Sequence, residues 1–334
     1  MSISIAAPRK TALPVIAAAV FAAITLPLSC SKTAPADAGD AAGGSAAVIE
    51  YTDCTGRTVR LTHETKMAAA MGSLGAVWLL AGGELYGVTR DGFEYEGWHI
   101  PEHVRSLGSL LSPDVEQIIA SQADCILLSP NLSGHLALRG ILDSMHIQSI
   151  CFDVTSFADY LKLLRLCTAV TGRADLFEQY GSSLEQAVQQ ELQFAKAQVQ
   201  QRRHAPTVLV LRAYAGDVRV KDSTSLAGAM LKELGCVNIA DSESGLLETL
   251  SMEAILTADP EFIFAVVMGR ETEKSLETLK QTIIEHPAWA SLSAVKQGRF
   301  IMLPSDLYHY KPNERWAQSY HMLNSYLYAA RDDA

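Results

Sequence analysis

The sequence predicts an α/β fold of two Rossmann-like lobes with parallel sheets, which are joined by a single long backbone helix and enclose a ligand cleft. The main observation is an internal repeat, in which residues 113–128 align with 250–265 and residues 73–88 align with 225–240. Each copy reads as a helix ending at glycine, a short strand, a loop, a glutamate-bearing helix and an apolar strand. Helical and strand patterns also alternate along the chain, as they do in parallel sheets covered on both faces.

The elements follow this alternation. Residues 48–61 predict a hairpin that opens the first lobe, and Gly72 and Ser73 open a helix that runs to Leu80. A long polar helix from Ala174 towards Arg202 is typical of a solvated layer on the second lobe. The predicted strands are residues 66–71, 85–88, 125–128 and 149–152 in the first lobe and 207–211, 237–239, 262–267 and 300–303 in the second.

One helix is predicted to join the lobes. Ser156 is a typical N-cap and Gly172 a typical C-terminal stop, with an apolar stripe between them. Such a helix of roughly 16 residues spans about 24 Å, enough to cross from one lobe to the other. The expected organisation is therefore an N-terminal lobe at 48–155, the linking helix at 156–172 and a C-terminal lobe at 173–334.

The N-terminus predicts export. Arg9 and Lys10 precede an apolar run that is shorter than a bilayer span of about 20 residues and ends at Cys30. The string LPLSC resembles a lipobox, although Pro27 stands where leucine is usual, so residues 1–30 are predicted to be a lipoprotein signal peptide with Cys30 as the lipidation site. The alternative is a plain signal peptide that leaves Cys30 free. Residues 31–47 are rich in small residues and are predicted to be a disordered tether.

Composition and motifs narrow the function classes. The net charge of −10 argues against a nucleic-acid partner. Neither GxSxG nor HExxH occurs in the sequence, so we expect no enzymatic activity. The mature domain would keep five cysteines without a CxxC pair, and we expect buried thiols more than a disulfide or a metal site. These residues are Cys54, Cys125, Cys151, Cys167 and Cys236.

Several motifs together resemble the helical-backbone class (class III) of substrate-binding proteins of ABC importers. They are the opening Asp53, Gly56, Arg57 and Val59, the string GSLGAVWLLAGGELYGV, the two glutamate-bearing helices, SFADYLKLLRLCTAVTGR, and the closing HPAWASLSAVKQGRFIMLPSDLYHYKPNERW. The resemblance implies an extracytoplasmic monomer that carries a ferric siderophore, haem or a corrinoid such as cobalamin, with no intrinsic cofactor. In this family one glutamate on each lobe pairs with arginines of the permease, and Glu116 and Glu253 occupy those positions.

Ligand contacts are expected on loops at the carboxyl ends of the strands. The first lobe carries extra residues within 89–108, a polar and aromatic segment suited to a large planar or chelated ligand. Arginines could hold carboxylates or chelate oxygens in bidentate fashion, and a tyrosine or histidine could ligate haem iron. The expected ligand-binding residues are Ser73, Tyr95, Trp98, His99, Arg212, Tyr214, Met268, Arg270, Tyr308 and Tyr310.

The expected order of cargo is ferric siderophore, then corrinoid, then haem. A receptor for bare zinc or manganese would need several converging His and carboxylate ligands. Most of the nine histidines lie in helices or connectors away from the expected cleft, so no metal site is predicted. The less favoured alternatives are a zinc or manganese receptor and a sensory or adhesion protein on the same fold.

Overall fold

The computed structural model describes residues 48–242, 245–248, 250–269 and 271–328. The predicted signal peptide, the tether, Cys30 and Arg270 lie outside the described residues. Within these ranges, no helix combines the length and apolar character needed to cross a bilayer.

The first lobe begins with an antiparallel hairpin and continues as a five-stranded sheet. The hairpin strands are β1 (Ile49–Thr52) and β2 (Thr58–Leu61). The sheet strands are β3 (Met67–Ala69), β4 (Leu85–Val88), β5 (Arg105–Ser106), β6 (Cys125–Leu128) and β7 (Gln148–Cys151). All neighbours in this sheet are parallel, in the order β5-β4-β3-β6-β7. Its helices are α1 (Gly72–Leu80), α2 (Val115–Ser121) and α3 (Ser133–Ser144).

The second lobe holds another five-stranded sheet. Its strands are β8 (Thr207–Tyr214), β9 (Asp217–Lys221), β10 (Val237–Asn238), β11 (Phe262–Val267) and β12 (Phe300–Leu303), in the order β10-β8-β11-β12 with β9 paired to β8. The helices from the lobe boundary onwards are α4 (Phe157–Thr171), α5 (Ala174–Phe177), α6 (Ser183–Arg202), α7 (Leu226–Glu233), α8 (Gly245–Glu248), α9 (Met252–Ala258), α10 (Thr272–Leu279), α11 (Ser293–Lys296), α12 (Ser305–Tyr308) and α13 (Trp316–Tyr328). A π-helical turn, Glu178–Ser182, makes α5 and α6 continuous.

The internal repeat is present in three dimensions. The order β4-β3-β6-β7 in the first lobe matches β10-β8-β11-β12 in the second. The glutamate-bearing helices α2 and α9 each have 7 residues. Each has an N-cap whose side chain accepts backbone hydrogen bonds, Asp114 in α2 and Ser251 in α9, and each ends at a residue in the left-handed region, Gln122 or Asp259. Two repeated units of the same topology therefore face each other, as the fold class requires.

The second sheet departs from the all-parallel expectation. Strand β8 continues to Tyr214, beyond the predicted end at Leu211, and turns at Gly216 into the antiparallel β9. Gly216 has a φ of 101°, a conformation that favours glycine in such a turn. The first sheet instead adds the edge strand β5 after the inserted residues.

Helix α4 joins the lobes and is capped at both ends. The Ser156 hydroxyl accepts a hydrogen bond from the Asp159 amide, and Asp159 completes a capping box, while Gly172 ends the helix in the left-handed region. One continuous hydrophobic cluster includes Val77 of the first lobe, Leu164 of α4 and Phe264 of the second lobe. The lobes therefore pack on a common core, which makes a wide hinge motion costly.

The opening hairpin is fastened to the first sheet by Asp53. Its side chain is fully buried and accepts hydrogen bonds from the amides of Thr55 (2.9 Å), Arg57 (3.1 Å) and Cys151 (2.9 Å). The guanidinium of Arg139 on α3 completes the set as an ion-pair partner. Burial alone would raise the pKa of Asp53, but the hydrogen bonds from Thr55, Cys151 and Arg57 outweigh it and lower that pKa.

Candidate functional site

A cavity of about 580 Å³ lies between the lobes. The first lobe contributes the start of α1 and the residues that follow β4, β6 and β7, and the second lobe contributes β8 and the residues that follow β9, β11 and α12. This is the edge at which open α/β sheets bind ligands. The volume lies within the range of roughly 300–1,000 Å³ typical of small-molecule sites.

The wall formed by the first lobe depends on a close approach at Gly72. A Cβ atom there would lie 2.5 Å from both the Cα of Gly92 and a ring carbon of Trp98, so only glycine allows this packing. The backbone amide of Gly72 donates to the carboxylate of Asp91 at 2.8 Å, which satisfies one free N–H at the start of α1. Burial raises the pKa of Asp91. The inserted segment is thereby held against the helix start, with Ser73 and Trp98 lining the cavity.

An aromatic cluster connects the inserted segment to the C-terminal part of the chain. Tyr95 stacks on Tyr310 with ring centroids 4.9 Å apart, and Trp98 meets Tyr310 edge to face at 5.3 Å. The guanidinium of Arg315 donates to the Tyr95 hydroxyl and to the carboxylate of Asp306, the latter at 2.8 Å. Trp98 is 8% exposed, and its indole N–H has no hydrogen-bond acceptor in the described part of the chain.

The second lobe contributes cationic groups to the cavity. Arg212 on β8, Lys221 at the end of β9 and Lys311 after α12 all line it. Across the described residues, none of these three side chains has a hydrogen bond or an ion pair. Burial lowers the pKa of Lys311 to about 8, with Asp153 opposing the shift and Arg212 adding to it. Lys311 therefore remains mostly protonated at pH 7, without a partner for its ammonium group.

His309 lies beside these cations and is uncharged at neutral pH. Burial lowers its pKa to about 4, and the nearby charges of Arg212 and Lys311 act in the same direction. Its ring contacts Tyr310, with centroids 4.5 Å apart. A neutral imidazole offers the cavity one hydrogen-bond donor and one acceptor without adding to the local charge.

Carboxylates also line the cavity, so the site is not positive as a whole. They differ from the cations because each already has a polar partner in the protein, although one buried oxygen of Asp91 has no hydrogen-bond partner among the described residues. Asp153 accepts from the amide of Asn131 at 2.7 Å, and Asp222 accepts from the hydroxyl of Thr224 at 2.6 Å. Asp91 accepts from Gly72, as described above, and Glu94 makes contacts of its own. The groups left to recognise a ligand are therefore mainly donors.

The structure brings together five of the predicted ligand-binding residues, and these are Ser73, Trp98, Arg212, Met268 and Tyr310. The other predicted residues lie elsewhere. Tyr95 is one layer behind the cavity wall, in the stack with Tyr310. His99 is exposed in a left-handed turn after the inserted segment's second helical turn. Tyr214 lies opposite Asp217 in the hairpin of β8 and β9, because β8 extends past the predicted strand end.

Tyr308 does not line the cavity. It ends α12, is fully buried in the core, and donates a hydrogen bond from its hydroxyl to the carbonyl of Ser319 at 2.7 Å. Sequence reasoning could not separate Tyr308 from Tyr310, since both lie in one short aromatic string. It also missed Lys311, which directly follows that string, and Asp153, the second residue after β7. The signal for both was their place at the carboxyl end of a core element.

Glu116 and Glu253 take equivalent places on α2 and α9. Both are exposed, both lie in the first turn of a seven-residue helix, and neither forms an ion pair with a described residue. They are separate from the residues that line the cavity. The geometry thus offers one free carboxylate per lobe on the outer surface.

Within the part of the chain that the structure describes, cysteines and potential metal ligands do not form a second site. The described cysteines are free thiols, of which Cys54 alone is exposed. Burial raises the pKa of Cys125 and of Cys236 to about 12, which makes both thiols inert. Over the described ranges, no group of three or more His, Cys, Asp or Glu side chains converges in a way that could hold a metal ion.

A two-lobed binding protein with a preformed cleft is the class that this fold and site define. The sequence profile described as "Periplasmic binding protein" matches residues 69–307. The chain belongs to this family, in the class III form whose lobes are joined by one helix. The family consists of extracytoplasmic binding proteins, and its class III members serve ABC importers. No curated protein sequence matches the chain at a significant level.

Solved structures with the same fold share little sequence with this chain. Staphylococcus aureus SirA in complex with staphyloferrin B is 17% identical, with 84% of this chain and 98% of that chain covered and a TM-score of 0.66. S. aureus IsdE in complex with haem is 15% identical, with coverage of 79% and 99% and a TM-score of 0.65. A periplasmic haem-binding protein from Pseudomonas aeruginosa is 20% identical, with coverage of 80% and 94% and a TM-score of 0.64.

Proposed function

We propose that the protein is the ligand-capturing subunit of an ABC importer and that its cargo is an anionic iron complex, a ferric siderophore. The observation that carries the proposal is the group of unpaired cations at the cleft, Arg212 and Lys311 above all. Both side chains are partly buried, and a charge that loses part of its hydration without gaining a partner is disfavoured. A cleft that keeps such charges unpaired when empty is suited to a ligand that brings anionic oxygens.

The other groups of the cleft fit the body of such a ligand. Trp98 offers an apolar surface, and neutral His309 offers a hydrogen bond. The solved structures support the same class of cargo, because SirA is described in complex with staphyloferrin B and BauB with ferric iron and acinetobactin. Others are described with haem, which keeps haem among the alternatives together with corrinoids. We expect a capturing role without catalysis.

The direct test is a binding panel read by tryptophan fluorescence and visible absorbance. It comprises ferric citrate, a ferric catecholate, ferrioxamine B, haemin and cyanocobalamin, each with its iron-free or metal-free form where one exists. We expect tight binding of at least one anionic ferric complex, and weaker binding of its iron-free form. Preference for cyanocobalamin or haemin would move the assignment to a corrinoid or haem carrier, and no binding by any compound would refute the proposed function.

Delivery to the permease is assigned to Glu116 and Glu253. Two separated charges, one on each lobe, fix the orientation of the docked protein where a single charge would not. Both carboxylates are exposed and form no ion pair with a described residue, which supports this role. Other surface carboxylates are neutralised by an ion pair within the protein, as Asp143 is by Arg57.

Anchoring is assigned to a lipid on Cys30, with residues 31–47 as the tether and the folded protein acting as a monomer outside the cytoplasm. The basis is the sequence alone, namely the charged start, the short apolar run and the lipobox-like LPLSC. Mass spectrometry of the protein purified from its native membrane should find a diacylated or triacylated Cys30 at the mature N-terminus. An unmodified N-terminus beyond Cys30 would contradict it.

A further inference from the structure

Lys311 occupies a fixed place where the two lobes meet. It follows α12 of the second lobe, and the next residues run back to the first lobe, where the Asn313 side chain reaches the carbonyl of Ser73 at 3.5 Å. Pro312 and Asn313 are buried, and the ring of Tyr310 is held in the stack with Tyr95. The backbone on both sides of Lys311 is therefore restrained, and its side chain lines the cavity.

The carboxylates near Lys311 are already engaged by other groups. Asp153 accepts from Asn131, and Asp159 accepts from the Ser156 hydroxyl at 2.7 Å and from the Lys162 ammonium at 3.1 Å. Both act on Lys311 only across a distance. The ammonium group of Lys311 has no hydrogen-bond acceptor among the described residues, and its partial burial disfavours the charged form.

Like charges surround the same point. Arg212 projects from β8 into the cavity and acts against the protonated form of Lys311. The neighbouring His309 is neutral and neither adds to nor balances the charge. Among the described residues, the other charged groups that line the cavity are Asp91, Glu94, Lys221 and Asp222. The surroundings therefore disfavour the charged form of Lys311, and an anionic ligand would stabilise it.

Resting on the proposed function, we propose that Lys311 selects the cargo by its charge: it binds an anionic oxygen of the iron complex at the junction of the lobes, while Arg212 binds a second one. Complexes whose chelating groups keep a net negative charge satisfy both cations. A cationic hydroxamate complex or a neutral corrinoid leaves them unpaired.

The same contact couples binding to proton uptake. In the empty protein burial holds the pKa of Lys311 at about 8, and an anionic ligand favours the charged form and raises that pKa. Near pH 8 about half of the empty molecules therefore lack this proton and take it up on binding. Affinity for an anionic complex is then greatest below pH 8 and falls as the pH rises above it.

The test compares the wild-type protein with K311R, which keeps the charge at all these pH values, and with K311M, which removes it. The matched control is K221M, because Lys221 lines the same cavity from β9. Dissociation constants for ferric citrate, a ferric catecholate and ferrioxamine B are measured between pH 6.5 and 9.5. Calorimetry at pH 8 in buffers of different ionisation enthalpy gives the number of protons taken up. Thermal unfolding verifies that every variant is folded.

We expect K311M to weaken binding of the anionic complexes by at least about 30-fold, the lower end of what removing one partner of a buried charge pair costs. Wild type and K221M should take up about half a proton at pH 8, and K311R none. Equal proton uptake by wild type and K311R, or unchanged affinity in K311M, would overturn the role of Lys311 while the proposed function stands. Binding of none of these complexes by any variant would refute the proposed function itself.

Discussion

Replacing Asp53 by asparagine should destabilise the protein far more than removing any exposed charge in the same region. D53N keeps the size of the side chain but removes the charge that pairs with Arg139, whose own side chain is only 14% exposed. Breaking a buried ion pair by removing one partner costs about 3–5 kcal/mol, because the other charge stays buried and unpaired. Asparagine would also replace the carboxylate oxygen that accepts from Arg139 and from the Cys151 amide with an NH2 group, which is a donor.

The matched control is D143N, which removes the partner of Arg57 at the surface end of the same hairpin. That pair has side chains 36% and 43% exposed, and exposed pairs contribute about 0–1 kcal/mol. Urea unfolding followed by circular dichroism should therefore give a loss of about 3 kcal/mol or more for D53N and less than about 1 kcal/mol for D143N. Equal losses would refute the reasoning that burial makes the Asp53 pair different.

The pH dependence gives a second check on Asp53. Its pKa is lower in the folded protein than in the unfolded chain, so the unfolded chain binds the proton more readily. The stabilisation is therefore complete above the unfolded value near pH 4 and is lost as the pH falls through the folded pKa. Wild type should lose more stability than D53N on acidification below about pH 4. Parallel curves for the two proteins would contradict this.

Three further predictions concern the cleft and the outer surface. K311M should stabilise the ligand-free protein by between about 1 and 3 kcal/mol at pH 7, because the pKa of Lys311 near 8 in the folded protein lies below its value in the unfolded chain. This gain in stability should shrink between about pH 8 and 10.5, as the wild-type lysine loses its proton. An unchanged melting temperature at pH 7 would contradict the prediction. Charge reversal at Glu116 or Glu253 should lower cargo uptake by cells while the dissociation constant stays within about twofold, and a tenfold weaker binding would instead assign the residue to the cleft. The double variant of Trp98 and Arg212 to alanine should weaken ligand binding by several kcal/mol, about the sum of an aromatic anchor and a paired charge, and unchanged affinity for the bound panel compound would remove both from the site.

The repeat was the part of the fold most open to prediction, because apolar periodicity and capping residues are local signals. Strand β11 was predicted with its observed bounds, and Ser156 and Gly172 cap α4 as their side chains indicate. The β8–β9 hairpin was missed, since DVRVK after a glycine turn is short and carries charges on its exposed face. Its pairing with β8 depends on tertiary context and not on a pattern of its own.

The site was predictable only to the level of which loops form it. Loops after parallel strands meet at one edge, so Arg212, Met268 and Ser73 could be placed there without a structure. The direction of a side chain within a short segment could not be predicted. Tyr308 points to the core and Tyr310 lines the cleft, although only one residue separates them. The ammonium of Lys311 gained its importance from what surrounds it, and the absence of a partner is a property that no single sequence displays.

The shared core also sets the order in which the chain can fold. Trp316, which begins the last helix, packs its ring against Phe157 and Tyr160 of α4 with centroids 5.8 and 6.3 Å away. Asn313 reaches Ser73, a residue of the first helix. Because these partners are far apart in sequence, their contacts carry a high loop-closure cost and form late. The first lobe therefore cannot complete its interior until residues 313–316 have been synthesised. During that interval the polypeptide stays incompletely folded, which is the state that translocation across a membrane requires.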